Sequence, residues 1–179
     1  MTAYFSFLRA INVGGKHKIK MANLKALYES LGLTGVKTLL QSGNVLFHSD
    51  LTATDLQALL ETAILETYHY DLKILIRSAA ELNNILETNP FTERHEDGAR
   101  KIVFFMEHPL DEADFETLIS QYSGSEEIFF QGSELYIYYT EGIGRSKLTN
   151  SYIEKRLQQS GTGRNWNTLL RAQRLLLKP

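Results

Sequence analysis

The stretch YFSFLRAINVGGKHKIK, Tyr4–Lys20, holds the pattern from which the fold can be predicted. Its apolar start, Tyr4–Leu8, indicates a buried strand, and apolar residues at helical spacing from Met21 predict an amphipathic helix that Gly32 ends. The loop between them contains Gly14-Gly15 and five basic or protonatable side chains. Because glycine backbone can approach a ligand closely and helix N-termini attract anions, the stretch also predicts an anion site.

The residues that follow extend this pattern to a complete unit. Two strand-like runs, residues 36–41 and 45–49, flank Ser42-Gly43-Asn44, a sequence typical of a tight hairpin. Thr52 begins a capping box before a second amphipathic helix, and alternating apolar residues at 71–77 predict another strand. The predicted order is therefore β-α-β-β-α-β.

The same order recurs after a polar stretch at residues 92–100. It comprises a strand at 101–107, a helix from Asp111, a hairpin at Gly132-Ser133, a helix at 146–158 and a short strand at 161–165. A last helix, capped by Asn167 or Thr168, follows. We interpret the chain as α+β, with two tandem ferredoxin-like (βαββαβ, alpha-beta plait) units. The units cover residues 1–77 and 78–179, have antiparallel sheets, and the second includes a connecting helix and a C-terminal helix.

Composition limits the possible functions. The 179 residues carry a net charge of −2, which disfavours nucleic acid as a partner, and no apolar run approaches the roughly 20 residues that span a bilayer. The absence of cysteine excludes disulfides, thiolate catalysis and sulfur-ligated zinc, and it fits a cytoplasmic location. The five histidines show no metal-ligand spacing, so we expect no metal or cofactor, and no catalytic set can be identified.

The predicted topology brings separate polar groups together. Strands 1 and 2 of a βαββαβ unit are parallel, so the basic loop and the first hairpin should lie at the same end of the sheet. The same reasoning places Arg164 and Asn165 near Gln131 in the second unit. We expect Arg9, at the end of a strand, to point toward residues 41–44 and to bind an anion more strongly than Lys18 does. The candidate ligand-binding residues are Arg9, Asn12, Gly14, Gly15, Lys16, Lys18, Gln41, Ser42, Asn44, Arg164 and Asn165.

Three functional hypotheses remain open from these residues. The first is binding of a phosphorylated small molecule or nucleotide at the Arg9–Lys20 loop and the Gln41–Asn44 hairpin, although neither GxxxxGK[ST] nor GxGxxG is present. The second is single-stranded nucleic-acid binding that uses the tyrosines at 136, 138 and 139, without an RNP1 pattern. The third is an enzyme that uses the polar hairpin residues. A plain solvated loop is the structural alternative to all three.

Three motifs also resemble a known family. LRAINVGGKHKIKM, LLQSGNVLF and TGRNWNTLL are similar to the motifs of the DUF1697 family, bacterial proteins of unknown function. The resemblance implies two alpha-beta plait units and carries no established catalytic residue. This chain has Ala10 where the family usually has glycine, which argues against a positive φ at that position.

Overall fold

The structure, a computed structural model, describes residues 1–94 and 98–176. The predicted polar stretch at 92–100 and the end of the last helix therefore fall partly outside the described residues. The chain divides into two compact units, which we name unit 1 and unit 2. Unit 1 comprises Met1–Asn84 together with the described residues from Arg171 onward, and unit 2 comprises Ile85–Leu170.

Unit 1 is built around a four-stranded antiparallel sheet with the order β2-β3-β1-β4. Residue Phe7 of the first strand pairs with Asn44, and Leu8 pairs with Ile74, so the loop that follows the first strand begins beside the hairpin. The elements in this part of the chain are β1 (Thr2–Leu8), α1 (Met21–Ser30), β2 (Thr34–Leu39), β3 (Asn44–Ser49), α2 (Ala53–Tyr68), β4 (Ile74–Ser78) and α3 (Ala79–Glu87).

Side-chain caps explain where two of these helices begin. Thr52 caps α2 because its side-chain oxygen accepts a hydrogen bond from the Asp55 backbone N–H at 3.2 Å. Ser78 and Glu81 form a reciprocal capping box at α3, with distances of 2.7 and 3.2 Å. The predicted cap at Thr52 is confirmed.

The core of unit 1 lies between the sheet and helices α1 and α2. Aromatic and aliphatic side chains of β1 and β3, such as Phe47, pack there with Leu24 and Leu60 of the helices. Tyr28 is fully buried, and its hydroxyl forms a 3.0 Å hydrogen bond with the buried Ser6 hydroxyl. This core holds β1 and α1 in place, and therefore both ends of the basic loop.

Unit 2 contains a second four-stranded antiparallel sheet with the order β6-β7-β5-β8. The expected α+β class with antiparallel sheets is thus confirmed. No helix in the described part of the chain is long and apolar enough to cross a membrane. The elements from Lys101 onward are β5 (Lys101–Met106), α4 (Glu112–Ser120), β6 (Glu127–Gln131), β7 (Glu134–Tyr138), α5 (Asn150–Leu157), β8 (Gly161–Asn165) and α6 (Trp166–Leu176). The residues of α6 from Arg171 belong to unit 1.

Two predicted helix starts in this part of the chain were wrong. The helix expected from Ser146 begins at Asn150, because Thr149 is its N-cap and Ser146 instead accepts a hydrogen bond from the Leu148 N–H at 2.9 Å. The last helix begins at Trp166. The Asn165 carboxamide accepts from the Asn167 N–H at 2.9 Å, so Asn165 takes the capping role expected of Asn167 or Thr168.

Candidate functional site

The basic loop of unit 1 folds into a small hairpin of its own. Val13 and Lys16 pair across a two-residue turn, and the Lys16 N–H donates to the Val13 carbonyl at 3.0 Å. Gly14 and Gly15 have φ values of 58° and 77°, as a type I′ turn requires. The turn presents both glycines to solvent.

Asn12 fastens this loop to the hairpin between β2 and β3. Its side-chain amide donates to the carbonyls of Ile19 and Gln41 at 3.0 and 2.8 Å, and its oxygen accepts from the Ile19 N–H at 3.0 Å. Both amide hydrogens are therefore used within the protein. Asn12 positions the loop, and it has no amide hydrogen left to give to a ligand.

Close packing between Gly43 and the chain that leaves β1 also holds the two segments together. The Leu8 N–H donates to the Gly43 carbonyl at 2.8 Å. A Cβ atom at Gly43 would lie 2.6 Å from the Ile11 Cδ1 and 2.9 Å from the Leu8 Cβ, so only glycine fits without rearrangement. The predicted proximity of the basic loop and the hairpin is confirmed.

Ala10 corrects an expectation drawn from the sequence. Its φ is 56°, although alanine at this position argued against a positive value. The left-handed conformation costs a residue with a Cβ roughly 1–2 kcal/mol. The hydrogen bonds on both sides of Ala10, from the Arg9 N–H to Lys73 and from the Asn12 N–H to His17, hold the turn in place against that cost.

The loop, the hairpin, the start of α1 and the end of α2 border an open cleft of about 620 Å³. This volume lies within the range of roughly 300–1,000 Å³ typical of small-molecule sites. We call it the lysine cleft. It is lined by Asn12, Gly15, Lys18, Ile19, Lys20, Asn23, Gln41 and Tyr68.

Positive charge in this region is not neutralised by nearby acids. The loop from Arg9 to Lys20 contains no carboxylate. Within residues 1–94 and 98–176, the ammonium groups of Lys16, Lys18 and Lys20 form no ion pair. The lysine cleft is therefore lined by unpaired positive charge in a chain whose net charge is −2.

The N-terminus of α1 adds to this positive charge. Lys20 is the N-cap residue, with extended backbone and no side-chain cap hydrogen bond, so the first-turn N–H groups are not covered by a side chain. The helix macrodipole places partial positive charge at this end. By contrast, threonine side chains cap α2 and α5.

The structure divides the residues that the sequence predicted for this site. Four of them line the lysine cleft: Asn12, Gly15, Lys18 and Gln41. Arg9, Gly14, Lys16, Ser42 and Asn44 are not among its lining residues. Asn44 is fully buried, and its amide donates to the Leu39 carbonyl and the Ser42 hydroxyl at 2.9 Å, which makes it part of the hairpin framework.

Of the two cations compared from the sequence, Arg9 and Lys18, only Lys18 lines the cleft. Arg9 is half-buried and its backbone N–H donates to Lys73, whereas Lys18 is exposed and lines the cleft. The stronger anion binding expected of Arg9 stays a prediction, as does the direction of its guanidinium.

The expected position of Arg164 and Asn165 near Gln131 was wrong. Arg164 pairs with Val103 and Asn165 with Ile102, whereas it is Gly161, the first residue of β8, that pairs with Met106 beside the hairpin. Arg164 and Asn165 are the last two residues of β8. Because a strand rises about 3.3 Å per residue, they lie at the end of β8 that is farther from the hairpin. Arg164 is buried and donates to the Thr162 hydroxyl at 2.6 Å, and burial lowers the pKa of its guanidinium to about 10.

Four residues that line the cleft were not among the ligand-binding residues predicted from the sequence. They are Ile19, Lys20, Asn23 and Tyr68. Tyr68 is the last residue of α2, which the sequence predicted only as an amphipathic helix. A topological signal could have found it, because β4 begins at the hairpin end of the sheet and α2 must finish near that end. Asn23 carried no such signal, since its role depends on where the first turn of α1 faces.

Unit 2 has its own cleft of about 420 Å³, between the end of α4 and the start of α5. Its two tyrosines are hydrogen-bonded within the unit. The Tyr122 hydroxyl donates to Glu126, and the Tyr152 hydroxyl donates to the Gln121 carbonyl at 3.0 Å. The cations of this cleft, Arg145 and Lys147, share its lining with the carboxylates of Glu126 and Glu141. The lysine cleft is the better candidate for an anion because no carboxylate is among its lining residues. No cluster of three or more His, Cys, Asp or Glu side chains suited to a metal occurs among the described residues.

Comparisons with known proteins agree with this architecture and assign no activity. The chain is similar to the conserved bacterial protein SP0830 from Streptococcus pneumoniae, with 26% identity and a TM-score of 0.77 over 98% of each chain. No curated protein matches the sequence. The model of DUF1697, described as a protein of unknown function, matches residues 1–136, which is most of the chain. This chain therefore belongs to the DUF1697 family.

Proposed function

We propose that this protein binds a phosphorylated small molecule or nucleotide in the lysine cleft of unit 1. The observation that carries the proposal is a small-molecule-sized cleft that lies between the basic loop and the hairpin and is lined by two lysines without carboxylate partners. A phosphate carries negative charge, which would neutralise the two lysines. It also offers several acceptor oxygens to groups that have donors to spare.

The mode of binding follows from the donors that surround the cleft. Lys18 and Lys20 supply ammonium groups, and the Gly15 backbone has no Cβ to keep an oxygen away from its N–H. The first turn of α1 offers further N–H groups and the positive end of its dipole. Asn12 keeps the loop and the hairpin together at the edge of the cleft.

The fold supports the placement of this site. We infer that each unit is a ferredoxin-like βαββαβ plait and that the two arose by duplication. The support is that both sheets have the same order, with the first strand of each unit between its third and fourth. Only unit 1 has the glycine pair and the lysines in the first loop, so the proposed site belongs to one copy.

A direct test is calorimetric titration with pyrophosphate, using Lys18→Ala and a matched control. We expect Lys18→Ala to weaken binding by roughly tenfold, which corresponds to about 1.4 kcal/mol. Lys37→Ala removes the same charge from an exposed position on β2 that does not line the cleft, and it should leave binding within about twofold. Equal losses in the two variants would show that the attraction is diffuse, and no binding by the wild type would refute the proposal.

Salt dependence separates this proposal from single-stranded nucleic-acid binding. Each phosphate contact on a single strand contributes a slope of about −0.7 in a plot of log affinity against log salt. A site for one phosphorylated molecule should therefore show a shallow slope and no gain from longer oligonucleotides. A slope several times steeper, with affinity that grows with oligonucleotide length, would favour the nucleic-acid hypothesis.

A further inference from the structure

We infer that the ligand of the lysine cleft is a nucleotide whose base stacks on Tyr68; this inference rests on the function proposed above. A site for phosphate alone needs only cations and N–H donors. Besides Asn12, whose amide hydrogens are already used, the lysine cleft also contains a tyrosine and the carboxamide side chains of Asn23 and Gln41. Aromatic rings and carboxamides are the groups with which proteins hold a nucleobase, by stacking and by edge hydrogen bonds.

Tyr68 is held in position by the end of its helix. It is the last residue of α2, and the next residue, His69, ends the helix in a left-handed conformation with its N–H bonded to Leu65 at 2.9 Å. The Tyr68 ring is half-buried against the core of unit 1 and stacks on Tyr70, with centroids 6.0 Å apart and planes 18° apart. A ring fixed in this way loses little conformational freedom when a base stacks on it.

The row of rings extends to the basic loop. Tyr70 also contacts the His17 ring, with centroids 4.8 Å apart, and His17 lies within the loop that carries Lys16 and Lys18. The aromatic groups and the cations thus belong to one connected surface. A nucleotide has the same two parts, an aromatic base and a charged phosphate joined by a sugar.

The polar groups around Tyr68 have capacity to bind a base. Across residues 1–94 and 98–176, the Tyr68 hydroxyl and the side-chain amides of Asn23 and Gln41 form no hydrogen bond. Partial burial raises the pKa of Tyr68, so its hydroxyl stays protonated and can donate. A carboxamide both donates and accepts, which matches the mixed edge of a nucleobase. Inorganic phosphate would leave the ring and these carboxamides unused, and a sugar phosphate has no planar aromatic face to stack on the ring.

Calorimetric titration of the full chain with pyrophosphate, ribose 5-phosphate, AMP and UMP tests the inference. We expect AMP to bind roughly tenfold or more tightly than ribose 5-phosphate, because the two differ by the base that stacks. Tyr68→Leu should remove this preference while leaving the affinity for ribose 5-phosphate unchanged. Tyr68→Phe should keep the preference, since it retains the ring, and Tyr152→Leu, at an aromatic position in unit 2, serves as the matched control.

The outcomes separate this inference from the function on which it rests. If pyrophosphate and ribose 5-phosphate bind while neither AMP nor UMP binds more tightly, the nucleotide inference fails and the phosphate site stands. If AMP is preferred but Tyr68→Leu preserves the preference, stacking on Tyr68 is wrong. If no phosphorylated probe binds, the proposed function itself fails. The wild-type comparison needs no variant, so it decides the ligand class even if Tyr68→Leu does not fold.

Discussion

Replacing Gly43 with alanine should destabilise unit 1 far more than replacing Gly14 with alanine. The two glycines have similar backbone conformations, with φ of 72° and 58°. They differ in their surroundings. A Cβ at Gly43 would meet Ile11 and Leu8 within 2.9 Å, whereas a Cβ at Gly14 would meet nothing within 4 Å. The pair therefore separates the cost of backbone conformation from the cost of packing between loop and hairpin.

The magnitude follows from three contributions. A left-handed residue with a Cβ costs roughly 1–2 kcal/mol, and the stiffer unfolded chain returns about 0.4–1 kcal/mol. Gly14→Ala should thus lower the free energy of unfolding by about 0.5–1 kcal/mol. Gly43→Ala adds an overpacking cost of about 1–3 kcal/mol, because the colliding atoms belong to a fully buried leucine and isoleucine.

Urea unfolding followed by far-ultraviolet circular dichroism measures both changes. The single tryptophan, Trp166, lies in unit 2, so its fluorescence is not a suitable probe of unit 1. Hydrogen exchange of the Leu8 amide, which donates to the Gly43 carbonyl, gives a local check. Equal destabilisation by the two substitutions, within about 0.5 kcal/mol, would refute the description of the loop as packed on the hairpin.

Three further predictions concern the same unit. Ala10→Gly should raise the free energy of unfolding by about 0.5–1 kcal/mol in urea titrations, because it relieves the left-handed alanine; a decrease would contradict the turn described there. Lys20→Asp should stabilise α1 by about 0.5–2 kcal/mol by supplying its missing N-cap, and should abolish pyrophosphate binding in calorimetry; unchanged binding would remove Lys20 from the site. Burial raises the pKa of Tyr28 above its ordinary value of 10. The stability that the neutral tyrosine contributes is therefore complete below pH 10 and is lost as the pH rises further. Between pH 9 and pH 11 the free energy of unfolding should fall more steeply than in Tyr28→Phe, by up to about 1.4 kcal/mol per pH unit.

Local sequence signals predicted the elements well where a single segment contains the whole signal. The caps at Thr52 and at Ser78–Glu81 were predictable because donor and acceptor lie three residues apart. The start of α5 was not, since Ser146 and Thr149 are both good caps and a 3-10 turn at Ile143–Arg145 decides between them. The conformation of Ala10 depends on hydrogen bonds to distant residues, which no local pattern records.

The site could be predicted in part, because chain topology places backbone but does not orient side chains. The parallel relation of β1 and β2 was enough to bring the basic loop to the hairpin, and Asn12 and Gln41 do meet there. Sequence could not show that the Asn44 side chain is buried within the hairpin or that Tyr68 faces the cleft. Arg164 was expected near the hairpin of unit 2, but only the first residue of β8 lies there, and Arg164 lies near the other end of that strand.

Mapping a phosphorylated ligand onto the backbone by NMR tests the central claim most directly. Addition of AMP to ¹⁵N-labelled protein should shift the amides of Gly15, Lys18 and Asn23 and the side-chain amide of Gln41 in a saturable way. The amides of Ser146 and Tyr152, which line the cleft of unit 2, should not move. Saturable shifts confined to unit 2, or no saturable shift in the lysine cleft with any phosphorylated probe, would contradict the claim that this cleft is the functional site.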